Sequence, residues 1–140
     1  MGKALIVFLF VIFGLNFLFL YFHLYPSIAW LDALLHFLGG VWVATFGANF
    51  VFKKWHESEE PKILKLILIF SFVAFIGVLW EFTEVLFLNE LMANIFSLKE
   101  TATTLSDTLS DLVFDLVGSA FFSLVYFLNQ KRVRSLQNSR

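Results

Sequence analysis

The chain has 140 residues, of which 59% are hydrophobic, 20 are phenylalanine and only 15% are charged, and its formal net charge is −1. This composition leaves too little polar surface for a soluble globule of this size, so we predict an integral membrane protein. The small net charge predicts no nucleic-acid partner. The absence of cysteine excludes disulfides and thiolate metal ligands.

The first apolar run, residues 4–25, is long enough to cross a membrane as a helix. At ~1.5 Å per residue it covers the ~30 Å hydrocarbon core of a bilayer. Pro26 is expected to end this helix, because proline lacks the N–H that would continue the helical hydrogen bonds. Lys3 and the small residues at 27–29 also fit a cleaved signal peptide, so both a retained and a removed first helix stay open.

Three further apolar runs follow, at residues 28–52, 63–88 and 108–128. A charged loop around Pro61 and a polar stretch at 89–106 separate them. No strand-like alternation and no internal repeat competes with these runs. We therefore predict an all-α, polytopic membrane protein whose single domain, residues 1–130, is a four-transmembrane-helix bundle. A basic cytoplasmic tail at 131–140 is expected to be disordered.

The basic residues predict the orientation of these helices, since cytoplasmic loops of membrane proteins retain an excess of Lys and Arg. With four helices, Lys99 lies alone on one side. The nine basic residues on the other side are Lys3, Lys53, Lys54, Lys62, Lys65, Lys131, Arg132, Arg134 and Arg140. We therefore expect a multi-pass protein of the inner (plasma) membrane, surrounded by membrane lipid, with both termini in the cytoplasm.

Charged residues within the apolar runs are the unusual feature of this sequence. Six of the eleven acidic residues and His36 lie in or at an end of the last three runs; together they are Asp32, His36, Glu81, Glu84, Asp107, Asp111 and Asp115. Such residues are unfavourable in a bilayer unless a cavity, a bound cation or protonation neutralises them. With the predicted orientation all of them reach the outer leaflet, so the sequence predicts one polar site there.

The spacing of these residues places each set on one side of its own helix. Asp32 and His36 are four residues apart, as are successive aspartates of the last run, and the two glutamates are three apart. Glycines flank each set at helical spacing: Gly39 and Gly40 follow His36, Gly77 precedes Glu81 by one turn, and Gly118 follows Asp115. Because small residues let membrane helices approach closely, we expect the polar faces to meet inside the bundle beside these glycines.

Each of these residues also has a purely structural interpretation. Asp32 and Asp107 could favour the start of a helix, and Thr104 could cap the last one. His36 could donate to a backbone carbonyl, and the two glutamates could extend to the membrane interface. Collectively, the group could be a buried network of ion pairs, although histidine is the only basic residue type available to the carboxylates at that depth.

The types of side chain in the predicted site favour a divalent metal ion as cofactor. Carboxylate oxygens with one imidazole and no sulfur suit Zn, Mn, Fe or Mg, and the imidazole favours the transition metals over pure Mg or Ca sites. The Glu-x-x-His spacing of soluble di-iron bundles is absent, which makes a di-iron centre a weak hypothesis. The predicted metal ligands are Asp32, His36, Glu81, Glu84, Asp107, Asp111 and Asp115.

Three motifs, in this order, resemble the YjdF-like family of small bacterial inner-membrane proteins. They are Asp32-Ala-Leu-Leu-His36-Phe-Leu-Gly39-Gly40, Leu79-Trp80-Glu81-Phe-Thr-Glu84, and Asp107-Thr-Leu-Ser-Asp111-Leu-Val-Phe-Asp115-Leu-Val-Gly118. The Asp-x-x-x-His-Phe start is more distantly similar to VanZ-like proteins, where a Lys tends to follow the first Asp and this chain has Ala33. The resemblance carries over the same seven site residues. Members of these families often have more helices. The resemblance therefore implies either that this chain is a minimal version of the family or that several copies of it complete the bundle as a homo-oligomer.

Two functions of different class fit the predicted site. In the first, a metal near the outer leaflet activates water or polarises phosphate during hydrolysis or transfer on a lipid-linked or other polar substrate. In the second, the protein is a non-enzymatic element that transports a cation or protons inward. The last run lacks an ionisable residue in its inner half to continue such a path, which favours the metal site. A structural membrane protein is the third alternative.

Overall fold

The computed structural model describes residues 2–25, 27–28, 30–51, 61–88 and 104–138. The described elements are all helical: α1 (Gly2–Tyr21), α2 (Trp30–Phe46, extended by a π-helical turn over Gly47–Val51), α3 (Lys62–Thr83, extended by a π-helical turn over Glu84–Leu88) and α4 (Leu105–Asn138). Four of these helices are long and apolar enough to cross a membrane. The all-α, multi-pass prediction is therefore confirmed. The charged loop at 52–60 and the stretch at 89–103 lie outside the described residues.

α1 ends at Tyr21, four residues before the predicted boundary at residue 25. The backbone of His23 has a φ of 51°, the left-handed conformation that commonly terminates helices. The N–H groups of His23 and of the next residue donate to the carbonyls of Leu20 and Phe19, at 3.0 and 2.9 Å. These two bonds satisfy the last carbonyls of the helix, so α1 stops before the proline is reached.

α4 continues to Asn138, well beyond the predicted end at residue 128. The expectation of a disordered tail is therefore wrong for residues 131–138. Neither glycine nor proline occurs between residues 129 and 138. The Gln, Lys, Arg and Leu residues in this segment are good helix formers, so nothing interrupts the helical hydrogen bonds at the end of the apolar run.

α2 and α4 run parallel and cross with their backbones in contact. A Cβ atom at Gly40 would collide with the backbone carbonyl of Asp115, and one at Gly118 would collide with the carbonyl of Phe37. Beside this crossing, the rings of Phe37 and Phe121 pack with their centroids 5.8 Å apart. Only glycine fits at both positions, which confirms the expected close approach of the helices at small residues.

Below the crossing, the bundle has a small apolar core formed by α2, α3 and α4. Its centre consists of Ala44, Ala48, Ile69 and Val73, all at most 5% exposed, with Val43 and Phe122 packed against them. α3 runs antiparallel to α2 here, because its middle lies beside the end of α2 while its own end lies beside the start of α2. Among the described residues, the core therefore holds together the half of the bundle opposite Asp32, Glu81 and Asp111.

α1 attaches to the outside of this three-helix unit. The indole N–H of Trp42 on α2 donates to the backbone carbonyl of Leu5 at 2.8 Å. The rings of Phe13 and Trp80 meet edge to face, with centroids 6.0 Å apart. Only Leu20 of α1 is buried. Because α1 is apolar on every side, its remaining surface suits contact with lipid.

Candidate metal centre

His36 stands at the centre of the acidic residues. It lies on α2, two turns after the helix begins, and only 7% of its surface is exposed. Asp32 precedes it by one turn on the same helix, while α3 and α4 bring carboxylates to it from two other directions. The parallel crossing of α2 and α4 and the antiparallel course of α3 place the acidic segments of all three helices at the same end of the bundle.

Three carboxylates surround one nitrogen of the His36 ring. The Nε2 atom lies 4.0 Å from Oδ1 of Asp32, 3.9 Å from Oε1 of Glu81 and 3.9 Å from Oδ2 of Asp111. These three oxygens come from α2, α3 and α4, respectively. The polar faces of the three helices therefore meet, as their spacing predicts.

The other nitrogen of the ring faces a fourth carboxylate. His36 Nδ1 lies 3.6 Å from Oδ1 of Asp115. A metal-binding histidine commonly donates its second ring N–H to a carboxylate, which fixes the tautomer and the orientation of the ring. In this arrangement Asp115 would hold His36, and Nε2 would be left to face the other three carboxylates.

The cluster is buried, and its charges do not balance. Glu81, Asp111 and Asp115 are 6%, 5% and 7% exposed. Their basic partner in every ion pair among the described residues of the cluster is the single imidazole of His36. Moreover, Oε1 of Glu81 is buried without a hydrogen-bond partner in the described part of the chain. Several carboxylates around one imidazole need to be neutralised, by a bound cation or by protonation, because each buried unpaired charge is strongly unfavourable.

Glycines make the space that Asp115 occupies. A Cβ atom at Gly77 would lie 2.6 Å from Oδ2 of Asp115, and one at Gly39 would lie 3.8 Å from Oδ1. The backbone of Asp115 is itself in contact with Gly40. The carboxylate is thus enclosed between α2 and α3, and any larger residue at Gly77 would displace it from His36.

Two overlapping groups of residues have the geometry to hold a metal ion. One is Asp32, His36 and Asp111, the other is His36, Glu81 and Glu84, and within each group one ligand atom per residue lies within 4.8 Å of the others. In a tetrahedral site with bonds of about 2.0–2.1 Å, ligand atoms lie about 3.3 Å apart. The oxygens around His36 would close in by about 0.6 Å each relative to Nε2 to reach that separation. Rotation of the carboxylate side chains provides movements of this size.

The remaining two predicted ligands have different surroundings. Glu84 is half-buried and begins the π-helical turn that ends α3, a type of local distortion that is frequent at functional sites. Asp107 is exposed, and its backbone N–H donates to the hydroxyl of Thr104 at 3.2 Å. This bond is an N-terminal cap, as the structural interpretation of the segment predicted. Asp107 belongs to neither of the two groups.

Two buried polar residues on α4 were missed in the sequence. Ser119 and Ser123 are 0% and 3% exposed, and neither hydroxyl oxygen has a hydrogen-bond partner among the described residues. They follow Asp115 at steps of four residues, so the helical spacing that grouped the aspartates would also have found them. A serine in an apolar run does not by itself indicate a site, because its hydroxyl can donate to the carbonyl one turn earlier on its own helix.

Comparisons with known proteins give a family and no closer relative. A family model described as a predicted membrane protein, DUF2238, matches residues 3–132. Because DUF2238 is the YjdF family, this match confirms the resemblance to YjdF-like proteins, while the more distant similarity to VanZ-like proteins stays a prediction. No curated protein and no solved structure matches the chain.

Proposed function

The chain belongs to the DUF2238 family of predicted membrane proteins, and we propose that it binds a divalent metal ion at the cluster around His36. The observation that carries this proposal is the arrangement around Nε2, where carboxylate oxygens from three helices lie 3.9 to 4.0 Å away. A cation among them would relieve the repulsion between the carboxylates. It would also give the buried Oε1 of Glu81 the partner that the described residues do not supply.

We assign the roles of the residues from their positions around the ring. His36, Asp32, Glu81 and Asp111 would be ligands, and Glu84 would join from the second group. Asp115 would be a positioning residue that orients the imidazole through Nδ1 rather than a ligand. Asp107 would contribute only to the charge at the start of α4. A set of oxygens with one nitrogen suits Zn, Mn or Fe best, with Mg the less favoured ion.

We further propose that this metal acts on a polar substrate at the membrane surface. The side chain of Asp32 is 38% exposed, whereas those of its partners Glu81 and Asp111 are 8% exposed. The cluster is therefore closed toward the apolar core and more open on the side of the helix start, where lipid headgroups would lie. A metal there could activate water or polarise phosphate in hydrolysis or transfer on a lipid-linked substrate.

Cation or proton transport is the second candidate function. It is favoured by the polar face of α4, which continues past the cluster through two buried serines. Carboxylates in a membrane bundle commonly mark ion pathways as well as catalytic sites. A metal that binds tightly and stays would favour the enzyme, whereas measurable uptake of the metal into vesicles would favour transport.

Thermal melting of Asp111→Asn tests the metal site by the sign of the stability change. In the parent protein, Mn or Zn at 100 times its dissociation constant should stabilise the fold by ~2.7 kcal/mol relative to the protein with chelator. Asp111→Asn should lose this stabilisation. Without metal, the variant should be as stable as the parent or more stable, because the substitution removes one repelling charge.

Asp107→Asn is the matched control for this experiment, since it makes the same chemical change one turn earlier on α4, at an exposed position. It should keep the full response to metal. A structural network of ion pairs predicts a different pattern: Asp111→Asn would cost on the order of 1–3 kcal/mol with or without metal. That result, with no response to metal in the parent, would contradict the proposal.

The orientation in an inner (plasma) membrane is a separate proposal that rests on the distribution of Lys and Arg. We propose that both termini are cytoplasmic and that the acidic cluster lies in the outer leaflet. Cysteines introduced singly at Ser58 and Ser97 should react with an impermeant thiol reagent from opposite sides of the membrane. Reaction of Ser97→Cys only after the cells are opened would show that the orientation is the reverse of the one proposed.

We also propose that a homo-oligomer completes the bundle. The mass of the detergent-solubilised protein tests this proposal.

A further inference from the structure

The polar face of α4 does not end at the acidic cluster. After Asp115 it continues through Ser119 and Ser123 and then through Tyr126 and Gln130. Steps of three and four residues keep these side chains within one side of a helix. Measured from Asp111 in the cluster to Gln130, this face is about 28 Å long at ~1.5 Å per residue. This length is nearly the thickness of a bilayer's hydrocarbon core.

The two serines on this face are deeply buried, and their hydroxyl groups lack hydrogen-bond partners among the described residues. Ser119 is 0% exposed and Ser123 is 3% exposed. In the described part of the chain, neither Oγ atom has a hydrogen-bond partner. Serines in membrane helices often donate to the carbonyl one turn earlier on their own helix, and these two do not. A buried hydroxyl without a partner is unfavourable, and a bound water molecule is the usual partner where the protein supplies none.

Apolar residues of the neighbouring helix lie at the depth of the serines. Gly40 of α2 contacts the backbone of Asp115 on α4, and the two helices run parallel. Phe122, which lies between Ser119 and Ser123 on α4, packs against the apolar core that contains Ala44 and Ala48, so these alanines lie near the depth of the two serines. Both alanines are at most 1% exposed, so they face the inside of the bundle. Ile69 and Val73 pack with the same alanines. None of these apolar side chains can form a hydrogen bond with the two hydroxyls, so water is the remaining partner.

We propose that Ser119 and Ser123 bind a line of water molecules that connects the candidate metal centre with the opposite end of the bundle. The ligand is water, and the site is distinct from the carboxylate cluster. Successive residues of the line are about 6 Å apart along the helix axis. Two hydrogen bonds of ~2.8 Å in sequence cover the same distance, so one water molecule per helical turn can bridge each pair.

The far end of the line is polar as well. The side-chain amide of Gln130 donates to the hydroxyl oxygen of Tyr126 at 2.6 Å, and both side chains are half-buried. Such a pair can exchange hydrogen bonds with water that enters from the membrane surface. The polar face thus has a water-accessible group at each end and the two serines between them. This proposal does not depend on which cation, if any, occupies the cluster.

Thiol labelling tests the presence of water directly, because the chain contains no cysteine. In the full-length protein in detergent, Ser119→Cys and Ser123→Cys should react with a small charged methanethiosulfonate. Leu124→Cys is the control, since Leu124 lies at the same depth but is 60% exposed toward lipid. We expect labelling at the serine positions to be about tenfold faster than at the control, because the reactive thiolate forms only where water solvates it.

Melting of Ser119→Ala and Ser123→Ala gives a second readout that does not need a reactive thiol. If the hydroxyls hold water, each substitution should lower the melting temperature by about 2–4 °C, because the water then loses a partner. Ser71→Ala, at an exposed position of α3, should leave it unchanged. If the hydroxyls are simply unpartnered in a dry core, alanine should raise the melting temperature.

The outcomes separate this proposal from the metal site. Labelling at the serine positions no faster than at Leu124, or melting temperatures that stay level or rise in both alanine variants, would overturn the water line and leave the metal proposal untouched. Conversely, a parent protein that does not respond to metal, together with rapid labelling of Ser119→Cys and Ser123→Cys, would contradict the metal proposal and support the water line. Rapid labelling together with lower melting temperatures is the expected result.

Discussion

The two ends of this bundle are held together in different ways. At the site end, formed by residues 30–40, 77–84 and 105–118, backbones touch at glycines and the buried side chains are mostly charged. At the apolar end, formed by residues 41–51, 62–76 and 119–130, alanine, valine and isoleucine pack between the same three helices. Membrane helices gain little from burying apolar side chains away from lipid, so close packing must stabilise both ends.

The difference supports the proposal that the site end binds a ligand. The apolar end satisfies its own packing with small aliphatic residues and needs only its serine hydroxyls to be hydrated. The site end combines carboxylates, one imidazole and the closest backbone contact in one place. That combination is unfavourable unless a cation or protonation neutralises the carboxylates, and the glycines fix its geometry. Close packing therefore stabilises both ends, and the proposed binding function lies at the site end.

The largest effect is expected at the glycine crossing of the site end. Gly40→Ala should destabilise the protein by about 3 kcal/mol or more, because its Cβ atom would collide with backbone rather than with a movable side chain. Gly14→Ala on α1 is the matched control, since nothing lies within 4 Å of the added atom. It should be neutral or stabilise by up to about 1 kcal/mol. Unfolding in detergent measures both, and equal effects would show that the crossing is not closely packed.

The next effect concerns the ring orientation at the site end. Asp115→Asn keeps the size of the side chain between the glycines but removes the charge that faces Nδ1 of His36. It should weaken Zn or Mn binding about 10- to 100-fold, the usual cost of losing an orienting carboxylate. Calorimetric titration of the purified protein measures this affinity. Asp107→Asn should bind as tightly as the parent, and parent-like affinity in Asp115→Asn would reject the orienting role.

A smaller effect is expected in the core of the apolar end. Val73→Ala should cost about 1–2 kcal/mol, because Val73 is 1% exposed and its truncation leaves a cavity between three helices. Val78→Ala on the same helix is the control, since Val78 is 39% exposed toward lipid. The comparison of the two ends predicts that Val73→Ala leaves metal affinity unchanged. A loss of metal binding in that variant would show that the ends are coupled.

The smallest effect is expected where α1 joins the other helices. Trp42→Phe removes the indole N–H that donates to the carbonyl of Leu5 and should cost about 1 kcal/mol, the typical net contribution of one hydrogen bond. Trp30→Phe, at a position that is 63% exposed, is the control and should change the unfolding free energy little. If the two variants unfold alike, the attachment of α1 depends on its aromatic contacts instead.

Much of the fold was accessible from the sequence because lipid restricts what a chain can form. Apolar runs of about 20 residues in a bilayer must be helices, since every backbone polar group needs a partner within the chain. The ends of the helices were less accessible. The left-handed backbone of His23 ends α1 early, and a continuous series of good helix formers extends α4 to Asn138. Neither feature changes the apolar pattern from which the runs were identified.

The candidate site was predictable as a group but not in its internal order. Spacing of three and four residues indicated which faces carry the carboxylates, and these faces do converge on His36. Spacing could not show which ring nitrogen each carboxylate approaches. It also could not separate Asp107, which is exposed in the capped first turn, from Asp111, which is buried one turn later.

The sequence alone determined that this protein is an all-helical membrane protein and that the acidic residues of its helices share one end of the bundle, because these properties depend on hydropathy and helical periodicity. Only the tertiary structure decided the roles within that end. The crossing of α2 and α4 at Gly40 and Gly118 brings Asp115 to Nδ1 of His36 and leaves Nε2 to the other carboxylates. The position of a side chain at a helix crossing depends on how closely the two backbones approach each other. That distance is a property of the packed pair of helices rather than of either helix alone.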